Sequence, residues 1–539
     1  MSEKKRWLAK GATGCSVLAL ALAGAIALPS APAFAQAATP TGPVYYKGKG
    51  PGGNNSYAFR YEEDFSYLRD PSKSTDFFDP VKFIALDDAK QVYLTFSGAL
   101  RLRYDNNQNT AFGLGGAAGQ AKAHQMEDYS RRTLLGTDLH LGPHFRIFAE
   151  LANAASSGRN VSGGGSTSRV NANWRNDLAL HQGFIEAMAN VDVFGTPGNV
   201  GIRAGRQGIY LGNGLAFAFP ATANLITIPD GVRLYLDTGH DRLDLFAGVP
   251  TIRRNDDLIR DTDNFHQNFY IAYGSHDFPT FNLLGSDAHI TDDPFVIFNR
   301  TGSTTAAGRR TITTTYGNEA TAINTITGQE EIWTIGDRLF GDIGNFDFDW
   351  TGQLQRGSFG GYDVEAFAVY TDWGYTFRDL PWKPRLGTHA DVASGGGDKA
   401  SKTTHLFDNQ FIRQPYVGQT VNTAPSLSNL YDVAPRLRVQ PLPTLSAEFS
   451  WTFWWRYSSA DAVYGPAGPY NGASSIGGAA TVGKPGTYIG SQPQLDVRWT
   501  PIPHVAFDAE IGQMVAGPVI KNAGGQNDTY GFVQVTLQF

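Results

Sequence analysis

The sequence predicts an all-β chain: a transmembrane antiparallel β-barrel with short periplasmic turns and long extracellular loops. Three observations carry this. Segment after segment alternates apolar and polar residues with period two, the mark of a strand with one apolar and one wet face. The wet face carries charges of both signs, strand after strand. Connections alternate between tight turns, at Gly142, Gly239, Gly341, Pro441 and Pro501, and long Gly/Ser/Asn-rich loops. Bacterial outer-membrane barrels have that asymmetry.

Residues 1–35 read as a secretory signal. Lys4, Lys5, Arg6 and Lys10 give a basic start, and Ala33-Phe34-Ala35 offers a cleavage site before Gln36. The apolar run between Cys15 and Leu28 is roughly 14 residues, short of the ~20 that a helical span needs. Cys15 is the only cysteine, so the mature chain has no disulfide, thiolate metal site or cysteine nucleophile. Without the signal, 40 basic residues face 49 acidic ones, a net charge of −9. Nucleic-acid partners call for the opposite balance. Mean hydropathy is −0.27, and no later stretch is apolar enough for a helical span. A barrel passes that test unseen because only alternate residues face lipid. Residues 36–56 are expected to form a flexible segment, and 57–539 the barrel.

The first strand is expected within residues 54–61. Residues 92–104 form the clearest early strand, with Leu94, Phe96, Leu100 and Leu102 alternating with Thr95, Ser97, Arg101 and Arg103. At ~3.3 Å per residue such a strand crosses a bilayer even when tilted. Two arginines are costly on a dry face and cheap on one that lines water. Residues 132–141 and 145–151 make a hairpin around Gly142-Pro143-His144, with Arg132, Asp138, His140, Arg146 and Glu150 on the wet face. A loop is expected over 153–176. The pair 180–191 and 200–207 puts Gln182 and Glu186 in one phase but Arg203 and Arg206 in different ones, so a bulge near Gly205 is expected. Residues 231–237 and 242–249 carry Arg233, Asp237 and Asp244 inward. The region 253–328 shows strands only near 269–273 and 295–298. Residues 332–340 (Arg338) and 346–355 (Asp347, Asp349) follow. Then 364–377 ends in Trp373, Tyr375 and Phe377, in the manner of an interfacial girdle.

Residues 385–393 and 431–440 (Arg436, Arg438) precede the best strand, 445–457. There Trp451, Phe453 and Trp455 oppose Glu448 and Arg456. Residues 489–500 (Asp496, Arg498) and 505–512 (Asp508, Glu510) lead to the last, 530–539. A terminal strand needs a partner at the first strand to avoid a bare edge. Its final aromatic residue, Phe539, is the expected handle for the barrel-assembly machinery.

Several segments resemble a known family. Arg60-Tyr61-Glu62-Glu63-Asp64-Phe65-Ser66-Tyr67-Leu68 resembles the opening of the alginate-export outer-membrane porins. Gly205-Arg206-Gln207, Asp230-Gly231-Val232-Arg233-Leu234, Gly357-Ser358-Phe359-Gly360-Gly361 and the stretch from Trp455 to Gly465 resemble later parts of it. The likeness covers most of 57–539 and is weakest over 253–328. It implies a monomeric barrel of about 18 strands in the outer membrane of a Gram-negative bacterium. It also implies an arginine-rich lumen that conducts an anionic polysaccharide, without fixing the cargo.

On the alternation alone, Arg101, Arg103, Arg132, Arg146, Arg203, Arg233, Arg338, Arg436, Arg438, Arg456 and Arg498 point inward and line a substrate path. Arginine stays charged and grips carboxylates in bidentate fashion, and rings of it in a pore select anions. Glu150, Asp244, Asp347, Asp349, Glu448, Asp496, Asp508 and Glu510 share the interior and keep any polyanion loosely held. The expected partners are an anionic saccharide or a small organic acid, and outer-membrane lipid, with no nucleic acid.

An uptake porin for small organic or aromatic carboxylates is the alternative, and an outer-membrane hydrolase a distant one. The chain has no Gly-x-Ser-x-Gly, His-Glu-x-x-His or phosphate-loop motif. His140 and His389 lie in phase with Asp138 and Asp391, with no serine nucleophile beside them. Asp256, Asp257, Asp261 and Asp263 crowd one loop, as calcium ligands do, although a solvated acidic loop is the commoner outcome. No catalytic residue, metal or cofactor is expected. Reversal of Arg436 and Arg438 to Glu is expected to abolish anion preference.

Overall fold

The structure, a computed structural model, describes residues 59–114, 125–158, 174–218, 224–254, 261–302, 310–314, 324–398, 400–409, 425–464, 481 and 485–539. The signal and the 36–56 segment lie outside these residues, as do Asp256 and Asp257.

Eighteen strands form one closed antiparallel barrel. They are β1 (Val92–Gln108), β2 (Gln125–Leu141), β3 (Phe145–Ser157), β4 (Asn176–Val193), β5 (Thr196–Arg206) and β6 (Asp230–Asp237). Next come β7 (Asp241–Val249), β8 (Gln267–Asp277), β9 (Ser286–Thr301), β10 (Glu330–Ile343), β11 (Phe346–Phe359) and β12 (Tyr362–Thr376). The circle ends with β13 (Arg385–Ala393), β14 (Leu430–Leu442), β15 (Leu445–Arg456), β16 (Tyr488–Ile502), β17 (Val505–Ala516) and β18 (Asp528–Gln538). Closure is made by β1 on β18, from Ala99 opposite Gln538 to Gln108 opposite Thr529. Lipid offers no partner for backbone N–H and C=O groups, so only a closed sheet satisfies them all.

The faces are inverted relative to a soluble protein. Leu135 and Ile185 are 56% and 62% exposed, whereas Arg233 is 2% exposed. Water would expel that arrangement; lipid outside and polar side chains inside produce it. Aromatic residues gather near both rims of the outer face, as in membrane barrels. Near the short turns Phe348 meets Trp350, Tyr375 meets Phe377 and Trp499 meets Phe507. Toward the loops Tyr104 meets Tyr129, Phe298 meets Trp333, and Tyr431 stacks on Trp455.

Several strands run further toward the loop end than the sequence pattern marks. β2 begins at Gln125 rather than near 132, and β3 continues to Ser157 into the expected loop, while β9, marked only near 295–298, spans Ser286–Thr301 and gains most of its length on the short-turn side. Beyond the apolar belt both strand faces meet water, so period two fades while the ladder continues. The tight turn expected around Gly341 is formed by Gly344-Asn345, between Ile343 and Phe346. One loop-end connection is also tight: Gly360-Gly361, at φ +55° and +84°, joins β11 to β12.

Two expectations fail. Of the strand expected within 54–61, residues 54–58 lie outside the described residues, and 59–61 belong to no strand; Arg60–Glu62 form a 3-10 turn. The consecutive carboxylates that follow break the alternation, and Tyr61 instead packs edge-on against the stacked pair Phe148 and Phe184. The ladder of β4 on β5 keeps an unbroken register through Gly205, so no bulge reconciles the arginines. Gly205 adopts φ +129° instead, and Arg203 and Arg206 are both buried.

The N-terminal segment lies against the short-turn end. Thr95 Oγ1 donates to the Lys82 carbonyl at 2.7 Å, and His504 Nε2 lies 2.7 Å from Asp76 Oδ2. Phe539 stacks on Phe78 with ring centres 5.1 Å apart, and its backbone exchanges hydrogen bonds with Gly98. A Cβ at Gly98 would run into the Phe539 ring. Gly98→Val is therefore expected to dislodge the terminal residue, costing ~1–3 kcal/mol. The readout is a smaller fraction of heat-modifiable folded band on cold electrophoresis; an unchanged fraction would contradict the seam described.

Candidate channel interior

The strands set the interior chemistry row by row. One cross-strand row runs Tyr93, His140, Arg146, Glu186, Arg203, Arg233 over β1 to β6. Each residue has a charged or ring neighbour on the next strand. Arg146 Nε donates to Asp138 at 2.8 Å, and its guanidinium lies 3.5 Å from Glu186. Arg203 reaches Glu186 at 2.7 Å, and Arg233 reaches Asp244 at 2.7 Å. The opposite wall repeats the device. Arg338 sits between Asp293 at 3.1 Å and Asp349 at 2.7 Å, over the Phe340 ring. Arg385 pairs with Asp347 and Asp372, and Arg436 with Asp372 and Glu448.

The remaining sequence-predicted residues fall as follows. Arg103 pairs with Asp105 at 2.7 Å and lies over Phe532. Arg438 lies 3.8 Å from Glu448, and Arg498 3.7 Å from Asp508, both partly exposed. Glu150 meets His181 at 2.6 Å. Asp496 stands between Glu448 and Glu510 on neighbouring strands. Arg456 is fully buried and donates to the carbonyls of Asp461, Thr481 and Gly486 in the outer connections. Arg101 and Arg132 are directly opposite each other. Both reach Asn224, Arg101 at its Oδ1 (2.7 Å) and Arg132 at its carbonyl (3.4 Å).

Asn224 belongs to the connection between β5 and β6, which folds inward. Gly208 N donates to Gln182, Gly212 N to the Tyr273 hydroxyl, and Gln353 to the Leu215 carbonyl. The connection thus touches β4, β8 and β11 and returns to β2 through Asn224, which donates to the Arg131 carbonyl at 2.9 Å. Ile209, Leu211 and Phe217 anchor it on Phe246, Phe269 and Phe295.

Arg242, Arg385 and Asp372 were not singled out from sequence, and Glu186 and Arg206 were noted only for their phase and resemblance, not as part of the path. Arg385 could have been, since it shares the phase of His389. The inward fold had a signal too, in the apolar residues Ile209 to Phe217 inside a loop. Nothing local in the sequence places Tyr61 in the barrel.

The sequence profile of the alginate export family matches residues 92–534. The chain belongs to the alginate export family. No curated protein matches it in sequence. Among solved structures, a BenF-like porin from Pseudomonas fluorescens Pf-5 is similar with a TM-score of 0.50 and 9% identity, over 84% of this chain and 100% of that one. Pseudomonas aeruginosa OccK11 (OpdR) has a TM-score of 0.45 and 11% identity, over 83% and 96%. Pseudomonas aeruginosa OpdK with vanillate has 0.47 and 8%, over 83% and 98%. Family and barrel fold together make this member of the family an outer-membrane channel of the porin type.

The N-terminal segment narrows this channel. Tyr61 is buried, its hydroxyl on the Gly208 carbonyl at 2.8 Å and the Arg203 guanidinium 4.4 Å from its ring. Beside it, burial pushes the Glu62 carboxyl from 4.5 up to about 7. A carboxyl raised in the seated segment favours seating fully below its ordinary value and loses that preference as pH rises through about 7. Single-channel conductance is expected to increase between pH 4.5 and 7. In Glu62→Gln that part of the increase should vanish; an identical pH profile in the variant would show that Glu62 does not hold the segment.

Proposed function

We propose that the protein provides passive, anion-selective passage for acidic oligo- or polysaccharide of the alginate kind. It would work as a monomer in the outer membrane of a Gram-negative bacterium, without catalysis, after assembly guided by the terminal Phe539. The observation that carries this is the pairing of like charges on the interior of β1 to β6. Arg101 opposes Arg132, and Arg203 opposes Arg233. Like charges directly opposite one another destabilise a sheet, so their juxtaposition fits a surface meant to meet anions. Arg103 and Arg146 continue the path along the same wall.

On the other wall Arg338, Arg436, Arg438 and Arg498 are interleaved with Asp349, Glu448, Asp496 and Glu510, and Asp347 pairs with Arg385. That balance keeps a polyanion from lodging, because conduction needs binding weak enough to leave. Arg456, wholly enclosed by carbonyls, is assigned to holding the outer connections rather than to the path. Reversal of Arg436 would break its contacts with Asp372 and Glu448, so it tests the wall as much as selectivity.

Arg101→Gln with Arg132→Gln is the sharper test. In planar bilayers under a salt gradient, wild type is expected to show an anion-preferring zero-current potential, and the double variant a potential near zero. Uronate oligomers should block wild-type current at concentrations at least tenfold below those of benzoate. Equal block would favour a porin for small carboxylates, and a cation-preferring wild type would defeat the arginine path.

A further inference from the structure

Asp391 on β13 and Asp432 on β14 lie directly opposite each other in the ladder. Both are on the interior face and 5% exposed. Two carboxylates so placed repel, and burial adds to the cost of each charge. His389 joins them from β13. Its Nε2 lies 3.2 Å from Asp432 Oδ1 and 4.0 Å from Asp391 Oδ2, and one ligand atom from each residue falls within 4.8 Å of the other two.

Asp391 Oδ1 accepts the Thr371 amide at 3.0 Å. Asp391 Oδ2 and Asp432 Oδ1, both out of solvent contact, accept no hydrogen bond among the described residues. The surroundings are dry: Tyr370 opposes Asp391, Trp454 opposes Asp432, and both rings belong to a buried cluster with Leu430 and Phe407.

Charge decides what fits. A protonated imidazole brings one positive charge against two negative ones. A divalent ion brings two, and leaves a neutral imidazole free to act as a ligand. Metal–ligand bonds of ~2.0–2.2 Å in tetrahedral geometry put donor atoms about 3.3 Å apart, a value that the two observed separations bracket. Calcium takes six to eight oxygens; an imidazole in a small donor set suits zinc and its first-row neighbours. We propose that His389, Asp391 and Asp432 bind one divalent transition-metal ion of the zinc type, which fastens β13 to β14 at the root of the long connection between them.

The test uses the tag-free mature chain folded in detergent, stripped with chelator and dialysed against zinc chloride. Mass spectrometry of the metal should find one zinc per barrel, and the loaded barrel should melt at a higher temperature than the stripped one. His389→Ala and Asp432→Asn should each weaken zinc binding at least tenfold. His276→Ala, in an exposed His–Asp pair, should leave binding unchanged. Should the ligand variants fail to fold, cobalt(II) in the wild-type barrel must still give visible bands of a low-symmetry, nitrogen-ligated ion.

Absence of stoichiometric zinc, or of that cobalt spectrum, overturns the proposal. So does full zinc content in both ligand variants. Stabilisation by Asp432→Asn in a wild type that binds no zinc would point to a proton shared by the two carboxylates, and would overturn it as well.

Discussion

Closure of the sheet between β1 and β18 is the constraint on which the molecule depends. Unpaired backbone groups in hydrocarbon each cost several kcal/mol, so an open edge is untenable. The seam is built from both ends of the chain. β18 supplies the last ladder, and Gly98 leaves room for the Phe539 ring. The N-terminal segment covers the same place, through Phe78 on Phe539 and Asp76 on His504. Sealing the barrel and narrowing its short-turn end are therefore done by one continuous piece of structure.

Closure makes the interior polar, and the interior then has to be held open. Buried ion pairs are poor sources of net stability, because desolvation offsets much of the attraction. Their worth here is geometric. Arg338 between Asp293 and Asp349 spans β9, β10 and β11, and Arg436 between Asp372 and Glu448 spans β12, β14 and β15. Each guanidinium is a planar fork that fixes the spacing of neighbouring strands. A wall stitched in this way resists collapse around the inward connection, which rests on it through Gln353 and Tyr273.

Much of this was legible in the sequence. Period-two alternation identified the strands wherever both lipid and lumen press on them, as in β1, β11 and β15. It failed at the loop end of β2 and β3, where water on both faces removes the pattern. The inward phase of the arginines was legible for the same reason, since a charged side chain in a membrane strand has one affordable direction. Their partners were less so. Arg146 with Asp138 joins residues in one hairpin, but Arg385 with Asp347 and Arg436 with Asp372 join strands whose register only the closed sheet defines. The spacing of His389 and Asp391 was visible, and Asp432 was not, because the β13–β14 pairing brings it in across a long connection.

The two walls differ in how their charges are arranged. Over β1 to β6, Arg101 stands opposite Arg132 and Arg203 opposite Arg233; the first two meet at Asn224, and the second two pair separately with Glu186 and Asp244. Over β9 to β17 the charges are mixed: Arg338 lies between Asp293 and Asp349, whereas Glu448, Asp496 and Glu510 stand side by side. Under the proposed function, an anionic chain between such walls would be held more by the arginine pairs of β1 to β6 than by the carboxylate row of β15 to β17. Attraction on a single wall gives residence without capture, since a solute held from both sides would need to break contacts all round before each step. A polymer with one carboxylate per repeating unit can exchange those contacts one at a time, and a channel with arginine rows on one face suits that form of motion better than a symmetrical ring.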